Sequence, residues 1–286
     1  MRILDALRSA PIESLEAEIL LCIPLQCSRS WLIAHGEDDL PADKQAAFQA
    51  FVSRRRRGEP VAYITGVQEF FGRPFSVNPH VLIPRPSTEG LVSLALEFLE
   101  HPSDQIRTID QGIVAVSKVW KQDTRAKAVA DIGTGSGCIA VTLASECVLN
   151  AHAVGIVETP RRGVSTCEVH DVHVIAVDLS EEALKVAREN AERLGVFSRI
   201  RFVQGDLLEP LRELTEPFLV VSNPPYIPEG HALPRDVAGF EPAQALFAGK
   251  DGLSVLKALV QQAQEHPFCT GVVLECQEDQ ASALLG

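Results

Sequence analysis

Val129-Ala130-Asp131-Ile132 runs directly into Gly133-Thr134-Gly135-Ser136-Gly137, and an apolar helical pattern follows over 138–147. A strand, a glycine-rich turn and a helix in that order open an α/β layer. Working outward, strand patterns over 173–178, 199–203, 218–222 and 271–275 alternate with helical patterns over 181–194 and 253–265. Alternation at these spacings predicts a parallel sheet with helices on both faces. Glycines in the first turn let the backbone approach a ligand and bend sharply. A bare glycine loop is a weak signal, because dinucleotide enzymes carry similar ones. Two details turn this one away from them. Asp131 stands ahead of the glycines, where it repels a pyrophosphate, and the spacing is GxGxG rather than GxGxxG. A carboxylate there suits a cationic amino-acid moiety instead. Asp178 ends the second strand, where a carboxylate can take two ribose hydroxyls; the plainer reading is a charge at a helix N-terminus. Gly205-Asp206-Leu207 follows the third strand and is placed to border an adenine ring.

The fourth strand, Phe218-Leu219-Val220-Val221-Ser222, ends in Asn223-Pro224-Pro225-Tyr226. Two prolines forbid both a helix and further ladder pairing. A rigid turn is left at the carboxyl end of a strand, where open α/β sheets place ligands. It offers an Asn carboxamide, carbonyls and an aromatic face. That set accepts both hydrogens of a planar NH2 group and stacks on its plane.

The chain has 286 residues, 46% apolar and 22% charged, which suits about two globular domains. A formal net charge of −12 argues against broad binding to a nucleic acid backbone and against a stable nucleic acid partner. Seven cysteines with no CxxC pair read as free thiols in a reducing compartment. Met1-Arg2-Ile3-Leu4-Asp5 opens no signal-peptide pattern, and no apolar run is long enough for a membrane span. The expectation is a cytoplasmic protein with no membrane partner.

Residues 2–57 read as helical. Ser14 is the candidate N-cap of a helix with Leu15, Ile19, Leu20 and Ile23 on one face, closed by Pro24. Pro41-Ala42-Asp43 opens another, with Phe48, Phe51 and Val52 recurring at helical spacing. It ends in Arg54-Arg55-Arg56-Arg57 and Gly58, which is either a solvated helix end or a docking patch for an acidic or phosphate-bearing partner. Phe70 to Val77 and Val81-Leu82-Ile83 suggest a hairpin connector, and Ser87 or Thr88 caps the helix beyond it. The expected division is a helical domain over 1–75, a β-hairpin connector over 76–88 and the larger α/β domain over 89–286. Residues 101–127 and 149–172 read as long irregular insertions. The second holds Cys167-x2-His170-x2-His173, which matches no standard zinc spacing, so no metal site is assigned.

With these residues in hand, the chain resembles the class I S-adenosylmethionine-dependent methyltransferases. More narrowly it resembles the PrmC/HemK family, the glutamine N5-methyltransferases of peptide chain release factors. The resemblance rests on Pro60-Val61-Ala62-Tyr63-Ile64-Thr65-Gly66, Leu82-Ile83-Pro84-Arg85-Pro86-Ser87-Thr88-Glu89, the glycine loop and the Asn-Pro-Pro-Tyr turn. Phe240-Glu241-Pro242, Leu246-Phe247 and Asp251-Gly252-Leu253 extend it. It implies a Rossmann-like sheet and S-adenosylmethionine as cofactor. Gly133, Thr134, Gly135, Ser136 and Gly137 would hold the methionine part, Asp178 the ribose, and Leu207 the adenine, with Asn223 bordering the cofactor. Asn223 and the Pro224 carbonyl would bind the target carboxamide, with Pro225 and Tyr226 completing the substrate site; Asn223, Pro224 and Tyr226 would be catalytic. The implied partner is a class 1 release factor, methylated on the glutamine of its Gly-Gly-Gln motif, with the helical domain helping to dock it.

The chain departs from the family in its two long insertions, in Glu275-Cys276-Gln277 where relatives show Glu-x-Gly, and in its short end. Five core strands are expected, the two closing antiparallel strands missing and one edge less protected. Rival readings are an adenine-N6 or guanine-N2 methyltransferase of DNA or RNA, and a shortened relative with little activity.

Overall fold

The structure is a computed structural model that describes residues 1–122, 124–152 and 172–285. Cys167 and His170 of the candidate chelating set lie outside these residues, while His173 begins a strand and meets Glu216 at 2.9 Å. Helices α1 (Ile3–Ser9), α2 (Ser14–Leu25), α3 (Arg29–Ala34), α4 (Ala42–Arg56) and α5 (Val61–Thr65) come first. Strands β1 (Val67–Phe70) and β2 (Arg73–Ser76), helix α6 (Thr88–Glu100), and strands β3 (Gln105–Asp110) and β4 (Ile113–Val119) follow. The alternating part runs β5 (Ala128–Ile132), α7 (Cys138–His152), β6 (His173–Asp178), α8 (Glu181–Arg193), β7 (Ile200–Gln204) and β8 (Phe218–Ser222). Last come α9 (Arg235–Phe240), α10 (Ser254–Glu265), β9 (Cys269–Gln277) and α11 (Glu278–Leu285).

The chain divides into two compact units: Met1–Val67 with Val77–Pro79 and Ala232–Glu241, and Gln68–Ser76 with His80–His231 and Pro242–Gly286. The first is helical, packed around Ile3, Ala6, Leu20, Leu21, Leu32, Phe48 and Val52. Helix α2 differs from its predicted face. Leu15 and Ile23 are exposed, while Ala17, Leu20 and Leu21 are buried, and Glu13 rather than Ser14 holds the N-cap position. The run Ile19-Leu20-Leu21-Cys22-Ile23 is apolar all round, so spacing alone does not select a face. Helix α4 ends as expected, with Gly58 at φ +98° just beyond it. Of its four arginines, Arg54 pairs with Glu59, Arg55 with Glu16 at 2.9 Å and Asp236 at 4.0 Å, and Arg57 donates to Ser53.

The second unit holds a sheet of seven described strands in the order β3-β4-β9-β8-β5-β6-β7. Its five parallel strands, β9, β8, β5, β6 and β7, are those the alternation predicts. As expected, no strand follows β9 among the described residues, but the edge beside it is closed by an antiparallel pair from earlier in the chain. Residues 105–119, read as part of an irregular insertion, form β3 and β4, and β4 pairs antiparallel with β9 from Ile113↔Gln277 to Val119↔Gly271. So β9 is an interior strand, and the edge passes to β3. Charged groups mark that edge: Arg107 is bonded to Glu97, and Asp110 is exposed. Gly271 permits the close approach; a Cβ there would lie 2.3 Å from the Lys118 carbonyl oxygen.

The connector also differs from expectation. The hairpin is β1–β2 at 67–76, and 77–88 contains no strand. Pro79, Pro84 and Pro86 deny that stretch ladder donors.

The pleat divides the buried residues of each strand between two layers. Val129, Val174, Ala176, Leu219 and Val221 pack with α6, α7 and α8. Ala128, Ala130, Ile132, Ile175, Val177, Phe218 and Val220 pack with α10 and α11. Among the described residues no helix is long and apolar enough to cross a membrane.

Candidate active site

Strands β5, β6 and β7 are laid down in one direction across the sheet, and β8 and β9 return on the other side of β5. That reversal opens a crevice at the carboxyl ends of β5 and β8. A cavity of about 190 Å³ lies there. Gly133, Gly135, Asp178, Leu207, Asn223 and Pro225 line it, with His80, Val81, Leu82 and Leu179 among the rest.

At one end, Gly133 and Gly135 take φ +73° and +55°, and a Cβ built on either meets nothing within 4 Å. The backbone here is bare toward the cavity. Gly137 has the opposite reason to be glycine: a Cβ would sit 3.0 Å from that of Ala187 on α8. Thr134 and Ser136 are buried beneath the loop rather than lining the cavity. The fully buried Asn190 of α8 donates to the Ser136 and Ser76 carbonyls at 2.8 and 3.0 Å.

Asp131, read from the sequence as suited to a cationic moiety, is not among the residues that line the cavity. It is fully buried and accepts from Thr134 Oγ1 at 2.6 Å and from the Ala140 N–H of the first turn of α7 at 3.0 Å. It therefore anchors the loop to a helix N-terminus. Burial pushes its carboxyl up to about 7, against the pull of Thr134 and Ala140. Asp178 is a wall residue. Oδ2 accepts the Gly135 N–H and Oδ1 the Ser180 N–H, both at 2.9 Å. Burial raises its pKa, and the bonds from Ser180, Gly135 and Leu179 oppose that. The carboxylate keeps acceptor capacity for a further donor. Leu207 lines the cavity at φ +47°, an uncommon conformation for a branched residue.

The other end is the Asn-Pro-Pro-Tyr turn. Ser222 ties β8 to β5 through a 2.6 Å bond to the Ile132 carbonyl. Asn223 and Pro225 reach the wall; Pro224 is buried, and neither it nor Tyr226 lines the cavity. Beneath the turn sits Glu275 of β9, fully buried. Tyr226 Oη donates to its Oε1 at 3.1 Å and Thr88 Oγ1 to its Oε2 at 2.8 Å. Asn223 Nδ2 in turn donates to Thr88 Oγ1 at 3.0 Å. Burial lifts the Glu275 pKa, while Thr88, Tyr226, the Arg85 charge and Asn223 draw it down. Burial, then the Glu275 charge, raises the Tyr226 phenol, which stays protonated at neutral pH. Gln280 Nε2 holds the Tyr226 carbonyl at 3.0 Å.

Sequence reasoning missed Thr88, Glu275 and Gln280 as parts of this site. Thr88 was expected at a helix cap, but neither it nor Ser87 makes a side-chain cap bond. A signal was present: Glu275 is a carboxylate within an otherwise apolar strand, and such a group needs partners when buried.

The arrangement matches known proteins. A family model described as PrmC N-terminal domain covers residues 2–66, and one described as RMKL-like, methyltransferase domain covers 108–233. The release factor glutamine methyltransferase of Koribacter versatilis (strain Ellin345) is 39% identical over 258 residues, 90% of this chain and 76% of that protein. The protein so named from Xylella fastidiosa (strain Temecula1) is 37% identical over 277 residues, 96% of this chain and 83% of that one. Its Bacillus anthracis counterpart is 35% identical over 249 residues, 86% of this chain and 72% of that one. Sheet order, crevice and methyltransferase model together define an S-adenosylmethionine-dependent methyltransferase. Within that class, the chain belongs to the release factor glutamine methyltransferase family.

Proposed function

We propose that this protein transfers the methyl group of S-adenosylmethionine to the side-chain amide nitrogen, N5, of the glutamine in the Gly-Gly-Gln motif of class 1 peptide chain release factors. One observation supports this reading most directly. Asn223, an amide-recognising group, stands in the wall of the cavity that Gly133, Gly135 and Asp178 also line. Relatives up to 39% identical carry the corresponding activity in their names.

The cofactor fits the residues present. The bare backbone of Gly133 and Gly135 gives the methionine moiety close approach. Asp178 has lone pairs free for the ribose hydroxyls, and Leu207 offers an apolar wall to the adenine. Bound there, S-adenosylmethionine supplies an electrophilic sulfonium methyl. The protein's own task is to place a poor nucleophile, since an amide lone pair is delocalised into its carbonyl. Asn223 Oδ1 and the Pro224 carbonyl would accept the two N–H bonds and orient the nitrogen for attack. The same acceptors stabilise positive charge growing on nitrogen. Tyr226, held behind the cavity wall on Glu275, supports the turn and as a neutral phenol takes no proton; the surplus proton of the methylated amide leaves to water. The helical unit, matched by the PrmC N-terminal model, serves in release factor docking.

The test is transfer of label from S-adenosylmethionine to a purified class 1 release factor, beside its Gly-Gly-Gln glutamine→alanine form and bulk DNA and RNA. Label on the intact factor alone is the expected result. Label on nucleic acid would install the adenine or guanine reading in its place.

A further inference from the structure

The network under the Asn-Pro-Pro-Tyr turn has a direction. Glu275 is fully buried and receives two hydroxyl donors, Thr88 on Oε2 and Tyr226 on Oε1. Both carboxyl oxygens accept there, so Glu275 turns no proton toward Thr88. Thr88 has one O–H, and it is engaged by Glu275 at 2.8 Å. Its oxygen can then only accept from its other neighbour, the carboxamide of Asn223 at 3.0 Å. An amide has two ends, and Thr88 admits only the NH2 end. Oδ1 is left outside the network, on a residue that lines the cavity.

Resting on the function proposed above, we infer that Thr88 and Glu275 are positioning residues that fix the flip state of Asn223, so that its carbonyl and not its NH2 meets the substrate amide. With the amide reversed, Asn223 Nδ2 would oppose the substrate NH2, donor against donor, and the acceptor that orients the nitrogen would be lost. Glu275 sets the polarity, Thr88 transmits it and Asn223 displays it. None of this depends on neighbours in sequence: Thr88 and Glu275 are 187 positions apart, and Thr88 and Asn223 are 135 apart. The β4–β9 pairing helps to hold the relay, because Glu275 pairs with Ala115 across it.

The polarity is open to reversal. Glu275→Gln keeps the shape but turns one oxygen into an NH2 donor. Thr88 or Tyr226 then faces a donor, and a rotated Thr88 hydroxyl favours the wrong amide end. Thr88→Val keeps the volume and removes the relay, whereas Thr88→Ser keeps it.

The experiment measures kcat for label transfer to a release factor, cofactor Kd and melting temperature in the wild type and these three variants. Both Glu275→Gln and Thr88→Val are expected to lower kcat roughly 10- to 100-fold, the scale of a misplaced reacting group. Cofactor Kd is expected to hold within about threefold, and Thr88→Ser to return most of the rate. The double variant should be no slower than its slower parent, since the residues act as one unit. Wild-type kcat in Thr88→Val, Thr88→Ser as slow as Thr88→Val, or a rate loss matched by equal loss of cofactor affinity would each overturn the relay. If Glu275→Gln does not fold, the Thr88 pair decides alone. A wild type that labels no release factor removes the function and the inference together; a wild type that labels it beside unimpaired variants removes only the inference.

Discussion

The two ends of the cavity are built by opposite means. The glycine-loop end is local: Thr134 and Ala140 both donate to Asp131 within a single strand–turn–helix passage. Asp178 joins it from the adjacent strand through the Gly135 N–H. Backbone does most of the presenting there. At the Asn223 end, side chains do it, and they come from Thr88, Tyr226, Glu275 and Gln280 on four separate segments. A backbone cradle tolerates variation in what lies beneath it. A side-chain relay fails if one member changes polarity, so the first end should govern affinity and the second turnover.

The largest expected effect is at the second end. Asn223→Ala should lower kcat about 100- to 1,000-fold, the scale for removing one preorganised polar group at a transition state. Cofactor Kd, read by calorimetry, should stay close to the wild-type value; equal loss of both would break the division. Gly252→Ala sharpens the same point without touching Asn223. A Cβ there would lie 2.3 Å from the Tyr226 carbonyl oxygen, and the residue sits at φ +71°. The displaced turn should cost roughly 10- to 100-fold in kcat, with the glycine-loop end still binding cofactor in the same titration.

Asp178→Ala is the mirror case. Losing bonds to a charged acceptor, worth about 1.5–3 kcal/mol, should raise cofactor Kd roughly 10- to 100-fold. Unchanged affinity would refute the ribose role.

The smallest effect concerns Asp131, which supports the loop from beneath. Its folded carboxyl titrates near about 7 against a usual 3.8. Between those values the folded state keeps a proton that the unfolded state has lost. This group's contribution therefore falls as pH rises from about 4 to about 7 and is level above. Asp131→Asn should lose less stability than the wild type over that window, by urea midpoints at its two ends. Parallel slopes would contradict the assignment.

The same contrast explains what was legible in the sequence. Alternation predicted β5, β6, β8 and β9 because burial on both faces demands continuous apolar runs, and the edge strand β7 followed from its place after α8. The glycine loop, Asp178, Leu207 and the Asn-Pro-Pro-Tyr turn were legible because each is punctuation at a strand end. Strand β3 was hidden by its edge position, where Arg107, Thr108 and Asp110 interrupt the apolar pattern, and without β3 the interior run Ile113-Val114-Ala115-Val116 of β4 had no partner to suggest it. The local clue was Asp110-Gln111-Gly112, a turn signal between two runs with β-branched residues, and Gly112 takes φ +70°. Thr88 and Glu275 carried no local clue to their partnership. A hydroxyl near a helix start reads as a cap until a buried carboxylate is found against it.

One measurement tests the division most directly: single-turnover methyl transfer to a release factor at saturating cofactor, comparing Asp178→Ala with Asn223→Ala. Asp178→Ala should recover close to the wild-type rate once its site is filled, while Asn223→Ala should stay slow at any cofactor concentration. Recovery of both variants, or of neither, would contradict it.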